Sequence, residues 1–338
     1  MIKIKKDDDM MQLKVLLGIG LYLLAVQSWA LETAWCVYDP VGPQGEISRR
    51  AQDIAQYAQS QQVKITLKSY KNEQDALKQF DQGYCSGVMA TNFHTRQYNQ
   101  FMGGTAGVGF VSSHQVAKSF MQMLSNPSLK PHMVQGEFEA LGMIPLGMAY
   151  MVLKRTDINS VSDLKNKKIA VLAADLPQIA LVQSVRAQPV PVQLESAVDA
   201  FKHNQVDILP APIFALRPYN LEREFGPSIR VVNFPLSYVA INVMIRHAQY
   251  PKGFGESMRS WFALHSASLI AQTIRWENGI SSYYWMDVSY REKQAYELIL
   301  ARVRQQFIRS KYYDPAFVAL ILRLRCMDDP RYFECQFR

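Results

Sequence analysis

Between Asp163 and Pro212, three short apolar runs alternate with two stretches whose apolar residues recur at helical spacing. Ile169 to Ala173, Pro189 to Val192 and Val206 to Ala211 are too short for buried helices and predict strands. Ile179, Val182 and Val185, and then Ala197, Val198 and Phe201, predict the helices between them. Strands joined by such helices pair in parallel through right-handed crossovers. A ligand then sits at the carboxyl ends of the strands, here Asp175 and the Ala211-Pro212 corner.

The same order occurs earlier. Thr33 to Tyr38 predicts a strand that Asp39-Pro40-Val41-Gly42-Pro43 stops. A helix follows from about Gly45 to Ser60, with Ile47, Ala51, Ile54 and Ala58 on one face. Val63 to Ser69 alternates as a half-buried strand does, and Asn72 caps a helix whose apolar face is Ala76, Leu77 and Phe80. Gly83 ends it, and Gly87 to Thr91 is the third strand. The two units share no residue-level repeat, but two α/β lobes facing one another enclose a cleft.

Between the units, Met102 to Ser113 carries GGTAGVG, without the GK[ST] ending or the G-x-G-x-x-G spacing of a phosphate loop, and reads as a flexible connection. Val116 to Leu124 predicts a helix. Leu141 to Leu153 is an apolar run that crosses between lobes, and Ser160-x-x-Asp163 is a capping box. Val231 to Phe234 and Tyr238 to Ile245 predict two strands. Two helical patterns finish the chain. One runs from about Gly255 to Trp276 through Met258, Trp261, Phe262, Leu269 and Ile270, and the other follows the Ser289-x-x-Glu292 box through Ala295, Leu298, Arg302 or Val303, and Phe307. The expected division is 31–147 with 236–268 as the first lobe, and 148–235 with 269–338 as the second. The expected hinges are Leu146 to Leu153 and Pro235 to Ile245, whose dihedrals change as the lobes close on a solute.

The start of the chain changes the compartment. Lys14 precedes an apolar run, Val15 to Val26, which is shorter than the roughly 20 residues of a membrane span. Ser28-Trp29-Ala30 then offers small residues at a cleavage site, so residues 1–30 read as a signal peptide and the mature protein as periplasmic. IKIKKDDD is unlike an ordinary start and makes Met10 or Met11 a candidate initiator. Loss of the leader removes four Lys and three Asp, taking the formal charge from +8 to +7. The rest has no basic run interleaved with aromatics, which excludes nucleic acid as the expected partner.

The four cysteines suit an oxidising compartment and permit three pairings. The Asp328-Asp329-Pro330 turn favours Cys326 with Cys335, which leaves Cys36 with Cys85, and in strand order 2-1-3 those two lie on neighbouring strands. Trp35 before Cys36 argues against a lipid anchor. The six histidines show no H-E-x-x-H or other metal-ligand spacing, and no G-x-S-x-G elbow or cofactor motif occurs, so neither metal, cofactor nor catalytic group is expected. What remains is a set of polar and aromatic residues near strand ends: Asp39, Asn92, Arg96, Tyr150, Asp175, Arg217 and Tyr219. Arg96 and Arg217 can hold an anionic group bidentately, whereas Asp39 and Asp175 favour a cationic or polyhydroxyl ligand.

DLKNKKIAVL followed by AQPVPVQLESAVDAFKHNQVDILPAP resembles the second lobe of DctP-type solute-binding proteins of TRAP transporters. CVYDPVGPQGE and GYCSGVMATNFHTRQYN resemble an AdeT-like branch of solute-binding proteins. The resemblance implies a periplasmic binding protein fold of type II, two α/β lobes joined by hinge strands. It also implies a monomer that delivers a small-molecule solute to membrane transporter subunits, without turnover. The AdeT label implies an alternative, an accessory protein of multidrug (aminoglycoside) efflux, beside which stands a binding protein that has lost transport function. One position departs from the family. The arginine that pairs with the ligand's carboxylate in K-I-R-V is replaced by Ala170 in Lys168-Ile169-Ala170-Val171, which removes that fork of donors.

Overall fold

A computed structural model describes residues 30–154, 158–173, 175–219 and 221–336. Residues 1–29 of the expected leader lie outside the described residues. The elements begin with β1 (Leu31–Tyr38), α1 (Glu46–Ser60), β2 (Val63–Tyr70), α2 (Glu73–Asp81) and β3 (Gly87–Thr91). After α3 (His114–Met123) and the short β4 (Val134–Gln135) comes a long strand, β5 (Phe138–Leu153). The second alternation is β6 (Lys168–Leu172), α4 (Leu176–Ser184), β7 (Gln188–Val192), α5 (Ala197–Lys202) and β8 (Ile208–Pro212). Another long strand, β9 (Arg230–Arg246), leads to α6 (Phe254–Asn278), β10 (Trp285–Met286), α7 (Tyr290–Arg309) and α8 (Pro315–Asp328). Short helical turns join these elements.

The strands lie in the order β2-β1-β3-β9-β5-β8-β6-β7, with β4 and β10 beside β5 and β9. Read inward from either edge, each half runs second strand, first strand, third strand, long strand. Within each half the first strand is parallel to both neighbours, as crossover helices require. The local signals act as the sequence predicts. Ile47, Ala51, Ile54 and Ala58 bury one face of α1, and the Asn72 side chain accepts the Asp75 amide to start α2.

The long antiparallel pair β5 and β9 joins the halves. The end of β9, Ile241 to Ile245, pairs with β3, while the end of β5, Ala149 to Leu153, pairs with β8. Their shared ladder shifts register at four places between Ala140 and Val152. Bulges bend and twist a strand, so the segment spanning both halves is the bent one. Gly142 and Gly147 hold positive φ there, and a Cβ on Gly142 would lie 2.2 Å from the Phe262 ring.

Proline marks a second irregularity. β6 and β8 register only at Ile169 and Ile208, after which β8 carries Pro210 and Pro212. Two residues apart on a strand, both lack a donor on the same edge. The β5 ladder persists through Pro212, so the missing donors face β6 and the seam between β6 and β8 opens.

Four expectations are corrected. Met102 to Val111 is not a flexible connection but wholly buried, because the absence of a side chain at Gly104 admits Phe317, whose ring would lie 2.4 Å from a Cβ there. The strands expected at 231–234 and 238–245 are one strand, with Pro235 and Ser237 opposite the bulges of β5. Helix α7 buries Tyr296, Leu300, Val303, Arg304 and Phe307, and Leu298 points outward at 54% exposure. Helix α8 went unpredicted and packs on the first half, where Phe317 meets Phe101, Phe110 and Phe120. Residues 315–328 therefore lie against the first unit rather than the second. Both disulfides form, Cys36 with Cys85 and Cys326 with Cys335, each with Cα atoms 5.7 Å apart.

Candidate functional site

The carboxyl ends of the parallel strands in both halves converge on one cavity of about 670 Å³. Tyr38, Lys71 and Thr91 reach it from the ends of β1, β2 and β3, and Leu172, Val192 and Pro212 from β6, β7 and β8. Leu146, Ala149, Ser237 and Val239 of the long strands form its base. A ligand here would touch both halves and the strands between them.

A second, more open cavity of about 960 Å³ adjoins it through Phe93, Leu172, Val192 and Leu194. Polar contacts cross between the halves at this mouth. The carboxylate of Glu195, in the turn after β7, accepts the Glu73 amide at 2.7 Å at the first turn of α2. A carboxylate suits the exposed donors and positive end of a helix. Glu73 is itself buried; its carboxylate accepts the Thr91 amide at 2.5 Å and meets His94 Nδ1 at 2.8 Å. Burial pushes the His94 imidazole down, but the Glu73 hydrogen bond and the charges of Glu73, Glu195 and Asp175 outweigh it and raise its pKa.

The structure separates the seven residues singled out in the sequence. Asp39 is fully buried and spends its carboxylate on the Val41 and Ser48 amides at 3.0 and 2.8 Å, fixing the start of α1. Asn92 is likewise buried, donating to Thr105 Oγ1 and the Tyr238 carbonyl. Tyr150 packs edge-on against Trp285 with ring centroids 5.0 Å apart, and burial with the Glu277 charge holds its hydroxyl protonated. None of these three lines either cavity. Arg217 and Tyr219 line the main cavity, and Arg96 lines the mouth, stacked 3.6 Å over Tyr312 and donating to its carbonyl at 2.7 Å. Asp175 caps α4 by accepting the Gln178 amide at 3.0 Å. Burial pushes the Asp175 carboxyl up to about 6, against the opposing pull of Gln178, Arg96 and His94.

Sequence reasoning missed Phe93, His94 and Glu195. The strand-end rule applied to Val192 would have reached Glu195, three residues on. Nothing in the spacing of Glu73 and His94 announces that they meet. Among the described residues no group of three or more His, Cys, Asp or Glu could hold a metal ion.

Asp175 and His94 both bind protons more tightly in the folded protein than in water. Asp175 destabilises the fold increasingly as pH rises from about 4 to about 6. The His94 contribution to folding is full below about 6.5 and is lost as pH rises through its raised pKa. These two groups are therefore expected to favour the folded state more at pH 5 than at pH 8, and in urea unfolding the variant Asp175→Asn with His94→Gln is expected to lose that part of the pH dependence. Glu195→Ala, which removes a charged hydrogen bond between the halves of a class contributing about 1.5–3 kcal/mol, is expected to enlarge the unliganded protein by X-ray scattering. A pH profile unchanged by the double variant, or a scattering profile unchanged by Glu195→Ala, would count against these roles.

A family model described as solute-binding protein AdeT 1/2 matches residues 46–338. The "Probable solute-binding protein AdeT2" of Acinetobacter baumannii is 47% identical over 234 residues, 69% of this chain and 98% of the relative. The "Probable solute-binding protein AdeT1" of the same organism is 32% identical over 299 residues, 88% of this chain and 98% of the relative. A TRAP periplasmic solute-binding protein from Ralstonia eutropha, solved with bound (S)-2-acetolactate, superposes with a TM-score of 0.69 at 12% identity. That match covers 87% of this chain and 98% of the other, and it carries the fold. The convergent strand ends, the doubled strand order and the match over most of its length place this chain in the AdeT 1/2 family of solute-binding proteins.

Proposed function

We propose that the protein captures a small solute between its two halves in the periplasm and presents it to a membrane transporter. Residues 31–147 and 236–268 form one lobe with α8 docked on it, and 148–235 with α7 form the other. The observation that carries this reading is the cavity of about 670 Å³ lined by strand ends of both halves and by the bent strands between them. Ligand sites of this kind hold 300–1,000 Å³. The Ralstonia protein, with its bound hydroxy-oxo acid, supports a small organic molecule as the class of ligand in this fold. Binding energy spent on closure leaves no bond broken, so no turnover is expected, and residues 1–30 act as the cleaved leader. No described helix is long and apolar enough to cross a membrane, so delivery requires a separate membrane partner.

A screen of small metabolites against the mature chain is expected to yield a ligand that raises the melting temperature and reduces the radius of gyration together. A broad screen in which nothing produces either change would end this reading.

A further inference from the structure

We propose that the solute held in the main cavity is an uncharged molecule with an apolar body, not a small organic anion; this rests on the capture reading above. The lining includes Leu146, Ala149, Ala170, Val171, Leu209 and Val239, all at most 5% exposed. Its buried or half-buried uncharged polar groups include Tyr38, Thr91, Ser237 and Gln178, and the Gln178 amide is already used: its oxygen accepts the Leu172 amide at 3.1 Å and its nitrogen donates to Asp175 at 3.0 Å.

The charged side chains of the lining, Glu46, Arg49, Lys71, Glu195 and Arg217, are exposed or half-buried, and three of them are engaged in hydrogen bonds or ion pairs. Arg49 holds Glu46 at 2.6 Å and the Gln44 carbonyl at 2.8 Å. Glu195 is taken by the Glu73 amide, and the Arg217 guanidinium lies 5.1 Å from the Trp276 ring centre. An anion seated against the buried apolar side chains would surrender its water there, whereas an apolar group gains by leaving water.

The opened seam extends this surface. A smaller cavity of about 60 Å³ shares Ala170, Val171, Gln178, Pro210 and Ser237 with the main one and continues among Leu164, Ile169 and Val182. Its volume fits a methyl or other small apolar branch. Ala170 borders both spaces, so its small side chain keeps them joined, and a long cationic side chain there would obstruct both.

The test titrates the mature chain with the uncharged fluorophore N-phenyl-1-naphthylamine and, separately, with succinate. The fluorophore is expected to bind saturably with blue-shifted emission, at least tenfold more tightly than succinate. Ala170→Arg is expected to weaken it at least tenfold. Ala215→Trp, which fills the cavity from its outer wall, is expected to do the same if Ala170→Arg does not fold. Failure of the fluorophore to bind, or binding indifferent to the folded variants, overturns the proposal. Tighter binding of succinate accompanied by compaction overturns the apolar class and leaves the capture reading standing. Binding of either probe without compaction overturns the capture reading instead.

Discussion

Arg304→Ala is expected to destabilise the protein by about 3–5 kcal/mol, the range for breaking a buried ion pair by removing one partner. Arg304 lies on α7 with no exposed surface. One guanidinium nitrogen donates to the carbonyls of Val108 and Gly109 at 3.3 and 3.1 Å, and another to the Tyr332 hydroxyl and the Glu334 carboxylate. Removal takes the Arg304 donor from the Val108 carbonyl and leaves Glu334 without its countercharge. Arg325 of α8 would not compensate, for it already donates to the same Gly109 carbonyl and stacks 3.6 Å over Tyr332. Its own pKa is pulled down to about 10 by burial and then by the Arg304 charge.

The loss carries a pH signature. Burial pushes the Glu334 carboxyl up, yet Arg304 and the hydrogen bonds around it outweigh that and hold it below the usual range. Its stabilising contribution is present above about 4.5 and vanishes as pH falls through the lowered pKa, so the difference between wild type and variant should narrow below pH 4. Urea unfolding at pH 7 and pH 3.5 measures both values. A loss under 1 kcal/mol at pH 7 would mean that the cluster relaxes around the missing group.

Replacing Cys36 and Cys85 together by alanine is expected to cost about 4 kcal/mol, from the entropy that a closed loop of this length removes from the unfolded chain. The residues are separated by 49 positions and nearly without exposure, so the bridge also fastens β1 to the entrance of β3 inside the core. Removing the Cys326 bridge, which spans 9 positions at the chain's end, should cost about 2.5 kcal/mol. Guanidinium denaturation of the two double variants would order them, and a greater loss for the C-terminal pair would count against the loop argument.

Much of the fold was legible because its units are local. Apolar runs of five residues, one-faced helices and caps such as Asn72 and Ser289 depend on neighbours in sequence, and they gave both alternations and the order within each half. What failed depends on distant partners. A glycine-rich run resembles a loose connection until Phe317, more than two hundred positions on, is known to fill the space beside Gly104. α8 is apolar on several sides, so its periodicity is weak, and it is held by aromatic contacts to 101–120.

The site was legible only as a location. Strand ends pointed to the cavity, and Arg217 and Tyr219 line it. Asp39 and Asn92 occupy strand ends too, but each satisfies backbone groups beneath the surface, a use that residue type does not distinguish from ligand binding. The pairing of Glu195 with α2 joins positions 122 apart and has no sequence signature.

The position of the last strand of the first half bears on how the chain acquires its structure as it is made. β3 finds its inner neighbour only in Ile241 to Ile245, and the Phe101 cluster is closed only by Phe317. Until about residue 320 has emerged from the ribosome, the first half lacks a strand partner and a helical cover. Such high contact order delays folding. A polypeptide built in this way stays threadable for nearly its whole synthesis, and the unit made first is among the last to become compact.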